Sequence, residues 1–255
     1  MLPPLATHLR TVKRRLAIVA GTLAATFVLT FTYSAEIIAW LNRPFPNALV
    51  FYGPAEALFA SVKVSFLAGF VLSLPVIFYH VWKFIEPALL PKEQRLAIPL
   101  FLLAGCLFGL GLVFCNLVIL PLVIEFFVGF GMDRAITPEL AVGTYIDFNV
   151  KFLLVFGCAF ELPLVLTLLA RIGAVSARAL ASYRKHAVMV ALILSAVVTP
   201  DATLFTMLLM AVPLMVLYEV GIIGARLFGR TSAAGEDAAP VEAPVPIGTA
   251  GHRVR

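Results

Sequence analysis

Charged residues are scarce in this chain: they fill 13% of its 255 positions, against ~25% in an ordinary soluble domain. With 62% of the residues apolar, several all-apolar helices would have no polar face to turn to water, which excludes a soluble globule. Mean hydropathy is +1.02. Cysteine is scarce too. Cys106, Cys115 and Cys158 all lie in apolar runs, which argues against a disulfide framework or a metal site and predicts buried free thiols. The four histidines, His8, His80, His186 and His252, are scattered at or beyond the edges of apolar runs, where an interfacial role is the ordinary one. H-E-x-x-H, G-x-S-x-G and a Gly-rich phosphate loop are all absent. The expectation is therefore a protein that is not an enzyme, with no metal and no cofactor. A net charge of +5 would suit nucleic acid only if the basic residues shared one face. They sit instead between apolar runs, where they set membrane orientation, so no nucleic-acid partner is expected.

What the chain does have is long apolar runs. Six spans are predicted: Leu16–Tyr33 (with helix extending toward Trp40), Phe59–Tyr79, Leu96–Val123, Ile146–Ala170, Ala187–Val198 and Leu204–Leu227. The fold class is an all-α polytopic membrane protein whose fifth and sixth spans are short. The fifth is far below the roughly 20 residues that cross ~30 Å of hydrocarbon. It is read as a true crossing in a locally thinned bilayer rather than a re-entrant hairpin, which would expose Thr199–Asp201 to lipid. Arg10, Lys13, Arg14 and Arg15 precede the first span; Lys83, Lys92 and Arg95 follow the second; Arg171, Arg178, Arg184 and Lys185 follow the fourth; Arg226, Arg230, Arg253 and Arg255 follow the sixth. Only Arg43, Lys63, Arg134 and Lys151 remain for the other side. The bias places both termini in the cytoplasm. The N-terminal run lacks an A-x-A cleavage site and is kept as a span. Residues 1–230 form the membrane domain. Residues 231–255, rich in Ala, Gly, Pro and Glu, read as a disordered cytoplasmic tail. The first outer loop carries Trp40, Pro44, Pro46, Tyr52 and Pro54, the composition of an ordered cap lying at the interface.

One acid stands out. Glu161 is the only charge in Val155–Ala170, and Pro163 follows two residues later. A carboxylate at that depth costs at least ~2.5 kcal/mol, so an intramembrane acid marks a functional site by default. The proline removes a backbone donor and bends the helix beside it. The competing structural reading is a helix-packing carboxyl. Glu219, nearer the cytoplasmic end of the last span, reads as structural. Asp147 and Asp201 lie near outer span ends and read as solvated ends or helix caps.

Several stretches, in order, resemble one family. Phe156–Ser176 (FGCAFELPLVLTLLARIGAVS) is similar to the fourth span and following loop of TatC, the polytopic core of the twin-arginine protein translocase. His8-Leu9 before a Lys/Arg cluster, Leu74–Arg95 (LPVIFYHVWKFIEPALLPKEQR), Phe114 with Pro121 and Phe126-Phe127, and Val198–Pro200 followed by Phe205–Gly221 agree with its other landmarks. The resemblance covers about residues 4–228 and six spans.

The resemblance implies a receptor in the bacterial cytoplasmic (inner) membrane that binds twin-arginine signal peptides of folded proteins. It implies recruitment of single-span TatA- and TatB-type subunits into a multi-copy complex, within membrane lipid, with transport driven by the proton-motive force. Guanidinium–carboxylate pairing suits the reading of two arginines. The loop carboxylate of the family matches Glu93. Its N-terminal carboxylate falls on Thr11, within HLRTVKRR, beside His8 and Arg15. Glu86, followed by Pro87, is an extra acid in the same loop that could supply the missing charge. Glu161, flanked by Phe160 and Pro163, matches the family's membrane glutamate, associated with contact to a TatA-type helix. Asp201 is displaced: counting back from Phe205, the family's acid falls nearer Thr203.

A rival reading is a proton-coupled small-molecule transporter with Glu161 as its protonation site. That needs polar groups from several spans converging at one depth. Beyond Ser61 and Lys63 near its start, the second span offers only Ser65 and Ser73, and the third only Asn116. The halves of the chain show no internal repeat, which also argues against an inverted-repeat transporter.

Overall fold

The computed structural model describes residues 5–43, 49–85, 97–132, 141–199 and 203–229, and among these every regular element is a helix. They are α1 (Leu5–Thr32), α2 (Ser34–Leu41), α3 (Glu56–Ile85), α4 (Ala97–Phe114), a π-helical segment (Cys115–Ile119), α5 (Leu120–Met132), α6 (Val142–Phe160), α7 (Leu162–Arg171), α8 (Ala177–Ser182), α9 (Arg184–Val198) and α10 (Leu204–Phe228). Five stretches are long and apolar enough to cross a membrane: Val12–Thr32, Glu56–Lys83, Pro99–Phe130, Val142–Arg171 and Leu204–Phe228.

The structure corrects several expectations. The last span is not short, since α10 has 25 residues, about 37 Å of helix. Pro213 lies inside it without ending it. The second and third spans run on past Tyr79 and Val123, to Ile85 and Met132. The first breaks at Tyr33 and restarts as α2. Only α9, at 15 residues, falls below the length of a full crossing. Of the three thiols expected to be buried, only Cys115 is; Cys106 and Cys158 are exposed on the helix surface. Facing lipid, an apolar surface needs no burial, so an apolar run does not say which way a cysteine points.

Small and hydroxylated residues bring the helices together. α1 lies against α3 with Gly69 at the crossing, where a Cβ would stand 2.9 Å from the Phe27 backbone nitrogen. Thr30 Oγ1 donates to the Ser65 carbonyl at 2.7 Å. The Thr26 and Ser73 hydroxyls meet at 2.7 Å. Ser65 and Ser73 are fully buried. Hydroxyls and glycine at the crossing are the glue expected where lipid supplies no hydrophobic drive between helices. α4 and α6 approach through Gly111 and Gly157, and the Phe108 ring lies over Gly157. The central core joins Val64 and Leu67, Cys115 and Ile119, and Ile146, Phe152 and Phe156. Phe126 of α5 stacks on Phe205 of α10, with centroids 4.1 Å apart.

One end of the bundle is fastened by one carboxylate. α6 begins at Ala141, which has no side chain to cap it. Glu56, at the start of α3, reaches across instead. Its Oε1 accepts the Gly143 N–H at 2.8 Å and its Oε2 accepts the Tyr52 N–H at 2.8 Å. An anion at a helix N-terminus satisfies orphan donors and complements the helix dipole. Beside it, Val142 N–H donates to the Val50 carbonyl at 2.8 Å, and the Tyr145 hydroxyl donates to the Leu41 carbonyl at 3.0 Å. Lys63 pairs with Asp147 at 2.5 Å. Glu56→Ala is expected to lower the thermal midpoint, with Glu56→Gln intermediate because it keeps one acceptor. Equal midpoints for the wild type and both variants would show that this end of the bundle holds without the clamp.

Candidate functional site

The fourth long span is two helices meeting at Glu161. Pro163 cannot donate to the Ala159 carbonyl, so the α-helical ladder fails there. The chain slips by one residue: Glu161 N–H bonds to the Cys158 carbonyl at 3.1 Å, and regular pairing resumes with Val165 N–H to the Glu161 carbonyl at 2.9 Å. Glu161 is the pivot, at φ −76° and ψ −19°.

Pro163 is buried, held by α10. A Cβ on Gly221 would stand 3.3 Å from Pro163 Cα and 2.6 Å from Leu166 Cδ1. Gly224 lies against Thr167, whose hydroxyl donates to the Pro163 carbonyl at 2.6 Å. Phe160 packs on Phe114 of α4, centroids 5.5 Å apart. With α7 fixed to α10 and α6 to α4, the acid between them is held at the joint of two rigid pairs. Among the described residues, Glu161 Oε1 is buried and meets no hydrogen-bond donor. An unpartnered acid oxygen in an apolar bundle offers a contact to a polar group arriving from outside. From Leu162, the next residue, a cleft of about 280 Å³ runs between α9 and α10, lined by Tyr183, His186, Leu194, Leu214 and Tyr218.

The other expected site residues fare differently. His8 and Thr11 lie in the first turns of α1, among the exposed Arg10, Lys13 and Arg14 and the half-buried Arg15. Glu86, Pro87, Glu93 and Asp201 lie outside the described residues, as does the tail from 231 to 255. The cap of α10 is Thr203, whose Oγ1 accepts the Thr206 N–H at 3.4 Å. That is the position at which counting from Phe205 placed the family's acid. Glu219 is gripped by Arg184 of α9 through two hydrogen bonds, Nε to Oε1 at 2.7 Å and Nη2 to Oε2 at 2.8 Å. Asp147 pairs with Lys63. Glu56 was missed, because nothing in the sequence links residue 56 to the start of a helix at 142. Among the described residues, no three His, Cys, Asp or Glu cluster to hold a metal.

The polar residues named for a solute path lie in helix contacts and in the core. Ser65 and Ser73 serve the α1–α3 contact, and Asn116 is buried in the core. The fold and site thus define a multi-pass helical membrane protein with an interior acid at a broken span. Residues 7–213 match the family "Sec-independent protein translocase protein (TatC)", and the chain belongs to that family, a family of transport proteins and not of enzymes. It is 38% identical over 233 residues to the TatC of Aquifex aeolicus, covering 89% of this chain and 96% of that one. It is 37% identical over 242 residues to the TatC of Desulforapulum autotrophicum, covering 92% and 89%. A crystal structure of the twin arginine translocase receptor TatC superposes with a TM-score of 0.79 at 37% identity, over 87% of this chain and 99% of that chain.

Proposed function

We propose that this chain is the signal-peptide receptor and assembly core of a twin-arginine translocase in a bacterial cytoplasmic membrane. It crosses six times with both termini inside, the short α9 making the fifth crossing. Its partners are twin-arginine signal peptides and single-span TatA- and TatB-type subunits in a multi-copy complex. Transport is driven by the proton-motive force. The observation that carries the reading is the chain-length likeness to a solved twin arginine translocase receptor, joined to the unpartnered Oε1 of Glu161 at a broken span. The basic residues favour the orientation, and a cysteine at Phe51 should label only from outside while one at Ala179 labels only from inside. Labelling of both from one side would overturn the topology. Expression in a strain lacking its own TatC should restore export of a folded reporter bearing a twin-arginine signal; no restoration, with the protein present in the membrane, argues against the function.

In this reading the arginine pair meets Glu93, helped by Glu86, because Thr11 carries no charge. Arg10, Lys13, Arg14 and Arg15 repel a basic ligand and make local carboxylates more necessary. Glu93→Gln should weaken binding of a twin-arginine peptide, and more so with Glu86 also neutralised, whereas Thr11→Glu should tighten it. A charge-assisted hydrogen bond is worth roughly 1.5–3 kcal/mol, which is at least about tenfold in affinity. Equal binding of the twin-arginine peptide and a twin-lysine control to the wild type would sink this assignment.

A further inference from the structure

Between the glycine crossing and the outer clamp, the core contains two asparagines. Asn149 of α6 is fully buried and Asn116 of the π segment is 5% exposed. Asn149 Nδ2 donates to the Tyr145 carbonyl at 2.8 Å, which fixes the amide with its oxygen on the other side. Among the described residues, neither Asn149 Oδ1 nor Asn116 Oδ1 has a hydrogen-bond partner. Leaving such an atom dry in a packed core is costly, and a native fold rarely does so.

The helix register brings the two residues to one level. Gly111 faces Phe156 and Gly157 across the α4–α6 crossing. Five residues outward from Gly111 is Asn116. Five residues back along antiparallel α6 are Lys151 and Phe152, within one turn of Asn149. The π segment and α6 are in contact there, within a core that includes Cys115, Ile119, Ile146 and Phe152.

The π segment adds a third acceptor. Its register is i→i−5, with Leu120 N–H bonded to the Cys115 carbonyl. The next donor in that register would be residue 121 to the carbonyl of Asn116, but residue 121 is proline and has no N–H. Two side-chain oxygens at this level lack a donor, and proline denies the Asn116 carbonyl its donor in the π register. A cation would be buried there without a countercharge, at high cost. A neutral donor fits, and water, with two O–H groups and two lone pairs, also suits Asn116 if its amide turns the other way.

We propose that Asn116 and Asn149 hold a water molecule between the π segment and α6, at a binding site built from both side-chain amides and the freed carbonyl of the π segment. The bound water fastens the proline-interrupted third span to the fourth, two turns outward of Phe156.

The test uses the full-length protein in nanodiscs with Cys106 and Cys158 replaced by alanine, so that reaction of the buried Cys115 with a thiol fluorophore reports unfolding. Asn116→Leu, Asn149→Leu and the double variant conserve volume. With a shared water, each single change should lower the midpoint by about 2–4 °C, and the double variant should lose no more than the worse single. If each change raises the midpoint and the gains add, the oxygens are independent and the proposal fails. Radiolytic labelling in ¹⁸O water gives the second readout on the wild type, and is unaffected by whether a variant folds. Phe152 and Ile119, though buried, should take up oxygen that exchanges slowly with bulk, and the leucine variants should lose this labelling. Coupled midpoints without such labelling would mean that the two amides bond directly, and would overturn the water site.

Discussion

A leucine in place of Gly111 should prevent the bundle from closing. A Cβ at this position stands 2.6 Å from the Phe156 carbonyl oxygen and 3.1 Å from Gly157 Cα. Both are backbone of the facing helix, so no rotamer change relieves the clash, and α4 must move away from α6. That separation also lifts the Phe108 ring off Gly157 and opens the core around Cys115 and Phe156. Overpacking a filled site usually costs ~1–3 kcal/mol, and a backbone clash belongs at the upper end or beyond, a large part of the ~5–15 kcal/mol that holds a typical fold. The measurement is the thermal midpoint and the yield of monodisperse protein. Gly105→Leu and Gly109→Leu are the controls, because a Cβ at either meets nothing within 4 Å. If Gly111→Leu behaves like these two, the α4–α6 crossing is not the tight joint described.

Replacing Glu161 should separate stability from function. Glu161→Ala removes a buried oxygen that has no partner among the described residues, so the variant should be as stable as the wild type or more stable, by up to roughly 1–3 kcal/mol. Export should fall sharply. The proposed contact of Glu161 with a polar group on a TatA-type helix is worth ~1–2 kcal/mol, about 5- to 30-fold in docking. Site-specific crosslinking from position 162 to the partner helix should weaken in proportion, and Glu161→Gln should retain part of it. A stable variant with unchanged export and crosslinking would remove Glu161 from the mechanism. A variant that loses export only because it unfolds would make the acid a packing residue. Stability gained at the expense of activity is the usual signature of a functional polar group held in an unfavourable place.

The position of Glu161 was legible without coordinates because one charge in an apolar run, followed by proline, is a local signal. So were the membrane class, the long spans and the family, all of which rest on composition and on runs of adjacent residues. The short α9 was also visible, as a run too brief to cross. The bounds of the last span, Leu204–Leu227, were also legible to within a residue, although it was classed as short and α10 has 25 residues. By contrast, the inward or outward direction of Cys106 and Cys158 was not readable, because lipid and protein interior select the same residues.

What the sequence by itself determined is the long apolar spans, the bend at Pro163, and the isolation of one acid among apolar neighbours. These follow from the length of apolar runs, from backbone donors lost to proline, and from the cost of placing charge in hydrocarbon. Only the tertiary structure decided the pairings: Glu56 with the start of α6, Lys63 with Asp147, Arg184 with Glu219, and Asn116 at the level of Asn149. Each joins residues at least 33 positions apart, the separations of the first two being 87 and 84 and that of the third 35. Such contacts depend on which helix faces which and in what register. Those are set by glycine crossings such as Gly69 and Gly111, where the backbones touch, and no local run of the sequence encodes them.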